Sequence, residues 1–327
     1  MPMTAFLLRR LAQSAVVLLA MSMLVFAGVY LVGNPVDILL SPDATQAERA
    51  ATIAALGLDR PLWTQYARFL LDALHGDLGR SFVHARPAIG LILERLPATL
   101  ELAVAALLIA VALGIPLGLW AGLRPKSLAG RAIVTGSILG FSLPTFWVGL
   151  MMIMLFSVRL GWLPGSGRGE TVSVLGVPLS ILTADGWKHL AMPAFNLALF
   201  KLALVVRLTR AGTLEALGQD YIRCARAKGL TPARIVGVHV LGNILVPIVT
   251  VVGLEFGGLV AFSIVTETVF AWPGMGKLII DSINLLDRPV IVAYLLVVVT
   301  LFVLINLVVD VLYVLLDPRV RLGGEET

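Results

Sequence analysis

Lys201 and Glu255 stand inside long apolar runs of the chain. An ionisable side chain near the centre of a spanning helix costs about 2.5–3.5 kcal/mol on insertion scales, so it faces a cavity, a neighbour or an opposite charge. Lys201 lies 12 residues before Thr213 in a predicted helix heading inward, and Glu255 lies 11 after Ile244 in one heading outward. At about 1.5 Å per residue the two share a depth and can pair. Two uses of such a pair stay open: a polar patch on the path of a substrate, or a structural pair that fixes helix register. Glu267, near the outer end of the Glu255 run, is a candidate either to line an outer gate or to cap the following turn. Asp310, near the inner end of the last run, reads as a structural hydrogen-bonding group.

Other chemistries find little footing. One cysteine, Cys224, excludes a disulfide framework and a multi-thiolate metal site, and four scattered histidines argue against a histidine-rich one. No H-E-x-x-H occurs. Gly165-Ser166-Gly167 lacks the G-x-S-x-G form, and with only His189 near a membrane edge it reads as a flexible outer loop. The nearest approach to a phosphate-binding G-x-x-x-x-G-K-[ST] is Gly274-Met275-Gly276-Lys277, where Ala271 replaces the first glycine. That segment reads instead as a tight Trp272-Pro273-Gly274 turn. No catalytic or metal-binding residue is assigned, and no cofactor is expected on this chain.

The elements that position these residues follow from composition. Of 327 residues 58% are hydrophobic and only 14% charged, and the mean hydropathy is +0.95. Such a chain has the membrane as its solvent, not water or nucleic acid. Six runs are long enough to cross a hydrocarbon core of about 30 Å: 11–32, 98–123, 132–158, 190–206, 244–270 and 290–316. Lipid offers backbone groups no partner and strand-like alternation is absent, so the fold class is an all-α integral membrane protein with six transmembrane helices. The first run is too long for a cleaved signal and reads as an anchor. Arg9, Arg10, Arg124, Lys126, Arg131, Arg207 and Arg210 fall on one side, with Arg223, Arg226, Lys228, Arg234, Arg319 and Arg321. That excess places both termini in the cytoplasm.

The division is then an anchor at 1–33, an outer helical segment at 34–97, a core at 98–316 and a tail at 317–327. In the outer segment Ser41-Pro42 and Thr45-x-x-Glu48 read as helix starts, Gly57 as a stop, and Pro61 as the start of a second helix. Gly76 to Ser81 turns the chain. Mid-span Pro116, Pro144, Pro193 and Pro247 can kink helices, and Gly114, Gly118, Gly253, Gly257 and Gly258 allow close packing.

Residues 211–243 form a cytoplasmic segment of roughly thirty residues, where helix connections in bundles usually need about 2–8. Leu217, Tyr221, Cys224 and Ala225 fall near helical spacing, Lys228 sits where the helix dipole favours positive charge, and Gly229 stops the helix. Thr231-Pro232 opens the next, running through Ile235, Val238 and Leu241 into the fifth span. A short helix at the membrane face suits force transmission from a cytoplasmic partner. Basic charge also fits anionic lipid, but the small Ala225, Ala227 and Gly229 favour close approach of a protein.

Asp220-Tyr221-Ile222-Arg223-Cys224-Ala225-Arg226-Ala227-Lys228-Gly229 resembles the coupling segment of permease subunits of ATP-binding-cassette importers for peptides and nickel. The resemblance extends through Gly76 to Ser81, Leu96-Pro97-Ala98-Thr99-Leu100-Glu101-Leu102, Gly114-Ile115-Pro116-Leu117-Gly118, Pro247-Ile248-Val249-Thr250, Val265-Thr266-Glu267-Thr268-Val269-Phe270-x-Trp272-Pro273-Gly274 and Asp317-Pro318-Arg319-Val320-Arg321. It is nearest to the first of the two permeases of dipeptide and oligopeptide systems. Cys224 stands where threonine is usual and Gly242 where arginine is. The Glu255 position is commonly glutamine, and the Lys201 position is not usually charged.

The resemblance implies a type I importer permease fold in a bacterial inner membrane, with a small helical extracytoplasmic insertion after the first helix. It implies half of a pore for di- or oligopeptides, a second homologous permease, two ATP-binding subunits that hold ATP and Mg, and an extracytoplasmic binding protein that delivers cargo, for which the Trp272 turn is a candidate contact. Asp220, Tyr221, Arg223, Ala225, Lys228 and Gly229 would then form the ATPase-coupling surface. From their own chemistry Lys201, Glu255 and Glu267 are the candidate translocation-path residues, with the Lys201–Glu255 patch a candidate reader of a peptide terminus. The competing classes are a secondary transporter, against which no duplicated pattern of broken helices recurs, and an intramembrane enzyme, which lacks its nucleophile and base.

Overall fold

The computed structural model describes residues 3–31, 44–56 and 58–316. The expected helix start at Ser41-Pro42, the stop at Gly57 and the Asp317 to Arg321 motif lie outside them. Tertiary contacts divide the chain into two units, Met1–Leu96 with Gly274–Val303 and Pro97–Pro273 with Leu304–Thr327. Contacts define these units, whereas the sequence division followed hydropathy.

In the first unit α1 (Met3–Leu31) carries Ser22 and Phe26 toward α3 (Leu62–Leu74). The Phe26 ring meets Tyr66 edge-on at 5.3 Å and tilts on Phe69 at 5.7 Å, while the Ser22 and Tyr66 hydroxyls share a 2.8 Å hydrogen bond. Between them α2 (Gln46–Leu56) opens with the reciprocal cap that Thr45-x-x-Glu48 spelled: the Thr45 N–H donates to the Glu48 carboxylate at 2.8 Å and the Glu48 N–H to the Thr45 hydroxyl at 3.3 Å. The Thr45 N–H, joined by its hydroxyl, holds the Glu48 carboxyl below its ordinary pKa. The turn after α3 uses Gly76 and Gly79 at φ +79° and +85°, a region glycine enters without strain. Asp287, buried between α10 (Met275–Asn284) and α11 (Arg288–Leu316), pins that turn by accepting from the Ser81 hydroxyl and, at 3.0 Å, from the Phe82 N–H.

The second unit begins within α4 (Ala88–Leu123), whose Gly114, Gly118 and Gly122 recur every fourth residue on one stripe. A Cβ there would lie 2.7 Å from Val205, 2.5 Å from Thr209 and 2.6 Å from Thr213, all on α7 (Ala184–Gly218). Backbone-close packing of this kind replaces the hydrophobic drive that lipid removes. Gly118→Leu is therefore expected to cost about 1–3 kcal/mol or more through overpacking. Gly136→Ala, with open space around it, should leave the thermal unfolding midpoint of the purified protein unchanged, and equal midpoints for the two variants would contradict this packing.

The third apolar run differs from a straight span. It forms α5 (Leu128–Ser142) and α6 (Thr145–Arg159), bent by 103° at Leu143-Pro144. Pro144 stands at the N-cap of α6, where its missing N–H is harmless. The described residues hold five helices long and apolar enough to span, or six with the bent pair taken as one. After α6 the chain forms a hairpin, β1 (Val172–Val174) and β2 (Val177–Leu179), that hydropathy did not foretell. Helix α8 (Asp220–Ala227) follows α7, and α9 (Pro232–Val269) is π-helical over Ile235–Val240.

Candidate functional site

Three groupings emerge in the second unit. The first is the surface of α8. Its end is set locally: Gly229 at φ +75° donates to the Arg226 carbonyl at 2.9 Å, and Leu230 donates to Ala225 at 3.2 Å. This is the Schellman arrangement that a glycine just past a helix permits. Thr231 then accepts from the Arg234 N–H at 3.4 Å with Pro232 in the first turn, as the Thr231-Pro232 pair predicted.

Helix α8 is cemented to its neighbours through Ile222 and Ala225, which join Val205, Ala216, Ile235, Val240 and Ile244 in one buried cluster. Ala225 is only 5% exposed, so it anchors the helix and does not belong to an accessible coupling surface. Of the expected coupling residues Ala225 is therefore turned inward, and the inward face of the helix is Ile222 with Ala225. Asp220, Tyr221, Arg223, Lys228 and Gly229 remain exposed. The Tyr221 hydroxyl accepts from Asn243 Nδ2 at 3.1 Å, and the same amide donates to the His239 carbonyl at 2.7 Å. Tyr221 is thereby tied to the π-helical start of α9.

The second grouping is the ion pair. Lys201 Nζ donates to Glu255 Oε2, joining α7 to α9 as equal depth required. The partners are unequally covered, with side-chain exposures of 9% for Lys201 and 37% for Glu255.

The third grouping accounts for Glu267, which is fully buried. Its carboxylate accepts from the hydroxyls of Thr99 and Ser263, each at 2.8 Å. Through its side chain Glu267 thus joins α4 to α9, and its main-chain carbonyl accepts from the Trp272 N–H of the following turn at 2.8 Å. The neighbouring Trp272 donates its Nε1–H to the Ala98 carbonyl at 2.9 Å.

Close by, Glu101 accepts from Arg168 Nε and Nη2 at 3.0 and 2.6 Å and from the Ser180 and Ile181 N–H groups at 2.7 Å each. Arg168 also donates to the Pro178 carbonyl at 2.6 Å, and its guanidinium lies 5.7 Å from the Trp272 ring centroid. The Gly165-Ser166-Gly167 segment expected to be a flexible loop is fastened instead, its Gly167 N–H donating to the Phe270 carbonyl at 3.0 Å. Arg168 was not singled out from the sequence. Its signal was Glu101, an acid just inside an apolar run, which requires a partner for the same reason Lys201 does.

Comparison with known proteins finds two family models along the chain. One described as a binding-protein-dependent transport system inner membrane component matches residues 114–322, and its N-terminal companion matches residues 3–103. The dipeptide transport system permease protein DppB of Escherichia coli (strain K12) is 41% identical over 98% of this chain and 99% of its own. The oligopeptide transport system permease protein AppB of Bacillus subtilis (strain 168) is 38% identical over 98% and 100%. A solved structure, of inward-facing conformations of the MetNI methionine ABC transporter, superposes with a TM-score of 0.52 over 69% of this chain and 96% of that one. At 18% identity that likeness speaks to the fold alone.

Proposed function

The chain belongs to the family of binding-protein-dependent transport system inner membrane components, and from that membership we propose that it forms half of the translocation pore of a di- or oligopeptide importer. The family is one of transport permeases, which sets aside the intramembrane enzyme and the secondary transporter. Peptide cargo rests on the names of the relatives.

In this reading two ATP-binding subunits hold ATP and Mg and dock on the exposed face of α8. A second homologous permease completes the pore. A binding protein delivers cargo from outside a bacterial inner membrane, with both termini of this chain in the cytoplasm and residues 34–97 outside. The observation that carries the reading is the division of labour on α8. One face, Ile222 and Ala225, is fused into the core shared with α7 and α9, while the other presents Asp220, Tyr221, Arg223, Lys228 and Gly229. A push on the exposed face therefore passes into both spanning helices.

The test is uptake of a radiolabelled dipeptide by proteoliposomes holding the co-expressed complex, with ATP inside and the binding protein outside. Accumulation that needs both ATP and the binding protein supports the reading. Accumulation driven by an ion gradient without ATP would overturn it.

A further inference from the structure

The Lys201–Glu255 pair does not stand alone. Lys201 Nζ lies 5.1 Å from the centroid of the Phe200 ring, the Phe200 ring lies 4.6 Å from that of Phe141 on α5, and the Arg207 guanidinium lies 6.0 Å from the Phe141 ring. Phe200 and Arg207 are seven residues apart on α7, hence on the same helix face and about 10 Å apart along the axis. Phe141 fills that interval. The row thus reads carboxylate, two aromatic rings, guanidinium.

The row is accessible. Phe141 and Phe200 are 45% and 41% exposed, and Arg207 is exposed. Among the described residues no carboxylate pairs with Arg207. Glu255 is the more exposed partner of its pair, so the row offers its carboxylate while Lys201 stands behind it. Gly258, one turn beyond, leaves the pair uncovered: a Cβ there would already lie 3.7 Å from Lys201 Nζ and 3.9 Å from Glu255 Oε2. The Glu255 charge, exposed within a spanning helix, requires water, a protein neighbour or a ligand instead of lipid, and Arg207 stands at the cytoplasmic end of the same row.

We infer that this row is a cargo subsite for a short zwitterionic peptide, with the free ammonium group on Glu255, the side chains over Phe200 and Phe141, and the terminal carboxylate on Arg207. The interval of about 10 Å suits two or three residues, since an extended chain spans at most about 3.3–3.6 Å per residue and a charge-assisted hydrogen bond at each end adds about 2.8 Å. Guanidinium is suited to a planar carboxylate, and aromatic faces accept both apolar side chains and a passing cation. Lys201 acts as a positioning residue that keeps Glu255 aimed, and its charge weakens the hold on the ammonium so that cargo can leave. The inference rests on the peptide-importer reading.

The test measures binding of Ala-Phe, N-acetyl-Ala-Phe and Ala-Phe amide to the purified complex without binding protein, by saturation-transfer NMR, with dipeptide uptake assayed in parallel. Wild type should favour Ala-Phe over both blocked forms. Lys201→Met/Glu255→Gln, which leaves no buried charge unpaired, should lower the preference over the acetylated form by about tenfold, the scale of one hydrogen bond to a charged group. Arg207→Gln, at an exposed position, should lower only the preference over the amide.

A structural register pair predicts a reduced melting temperature with all preferences kept, and that result, or equal binding of the three peptides to wild type, overturns the subsite. Loss of peptide uptake by wild type itself would instead overturn the importer reading. Intact uptake with unchanged preferences in both variants would overturn the subsite alone.

Discussion

Arg223→Glu is expected to reduce ATP-driven peptide uptake more than tenfold while the permease still inserts, folds and binds its sister subunit. The side chain of Arg223 is 74% exposed and pairs with Asp220, one turn away, at 3.1 Å. An exposed pair of that kind contributes about 0–1 kcal/mol, so its loss leaves folding intact. A like charge forced into a protein interface, by contrast, costs several kcal/mol, roughly a hundredfold or more in occupancy. The measurement compares ATP hydrolysed with peptide accumulated in proteoliposomes, alongside the melting temperature of the variant. Hydrolysis continuing without uptake, or ATPases lost from an otherwise stable permease, places Arg223 on the coupling surface. Normal coupled uptake removes it from there.

Arg168→Met should destabilise the protein by about 3–5 kcal/mol, because the Glu101 carboxylate is then left buried without its counter-charge. Glu101 keeps the Ser180 and Ile181 N–H donors at 2.7 Å, yet two neutral donors do not replace a bidentate guanidinium. Adding Glu101→Gln should recover a large part of the loss, since removing both charges of a buried pair costs far less than removing one. Thermal unfolding of the wild type, the single variant and the double variant in one detergent checks both statements. A double variant no more stable than the single would mean that Arg168 acts through its contact with Trp272 or Pro178 instead.

These two residues also mark where the sequence was legible and where it was not. Lys201 and Glu255 were readable as a pair because each stands out in an apolar run and helix rise alone fixes their depths. The Thr45-x-x-Glu48 cap, the Gly229 stop and the Thr231-Pro232 start were readable because their bonds close within four or five residues. Glu101 with Arg168, Thr99 with Glu267 and Ser81 with Asp287 are 67, 168 and 206 residues apart, and nothing local announces such partners. Thr99, Glu101 and Glu267 were visible as parts of motifs, but that the motifs bind each other was not.

Ala225 was misplaced for another reason. On an eight-residue helix several faces have similar apolar content, and only the packing of Ile222 against Ile235 and Ile244 decides which one turns inward. At Leu143-Pro144 the proline marked a possible kink but not a bend of 103°, since an apolar run reads alike whether it crosses straight or doubles back.

The most direct test of membership in an ATP-driven importer is composition. The tagged chain is withdrawn from its own membranes in a gentle detergent, and the mass of the intact complex is read by native mass spectrometry. One homologous permease and two ATPase copies, alike or different, are the predicted companions. A stable complex that contains no ATPase would contradict the coupling role assigned to α8 and the importer reading with it.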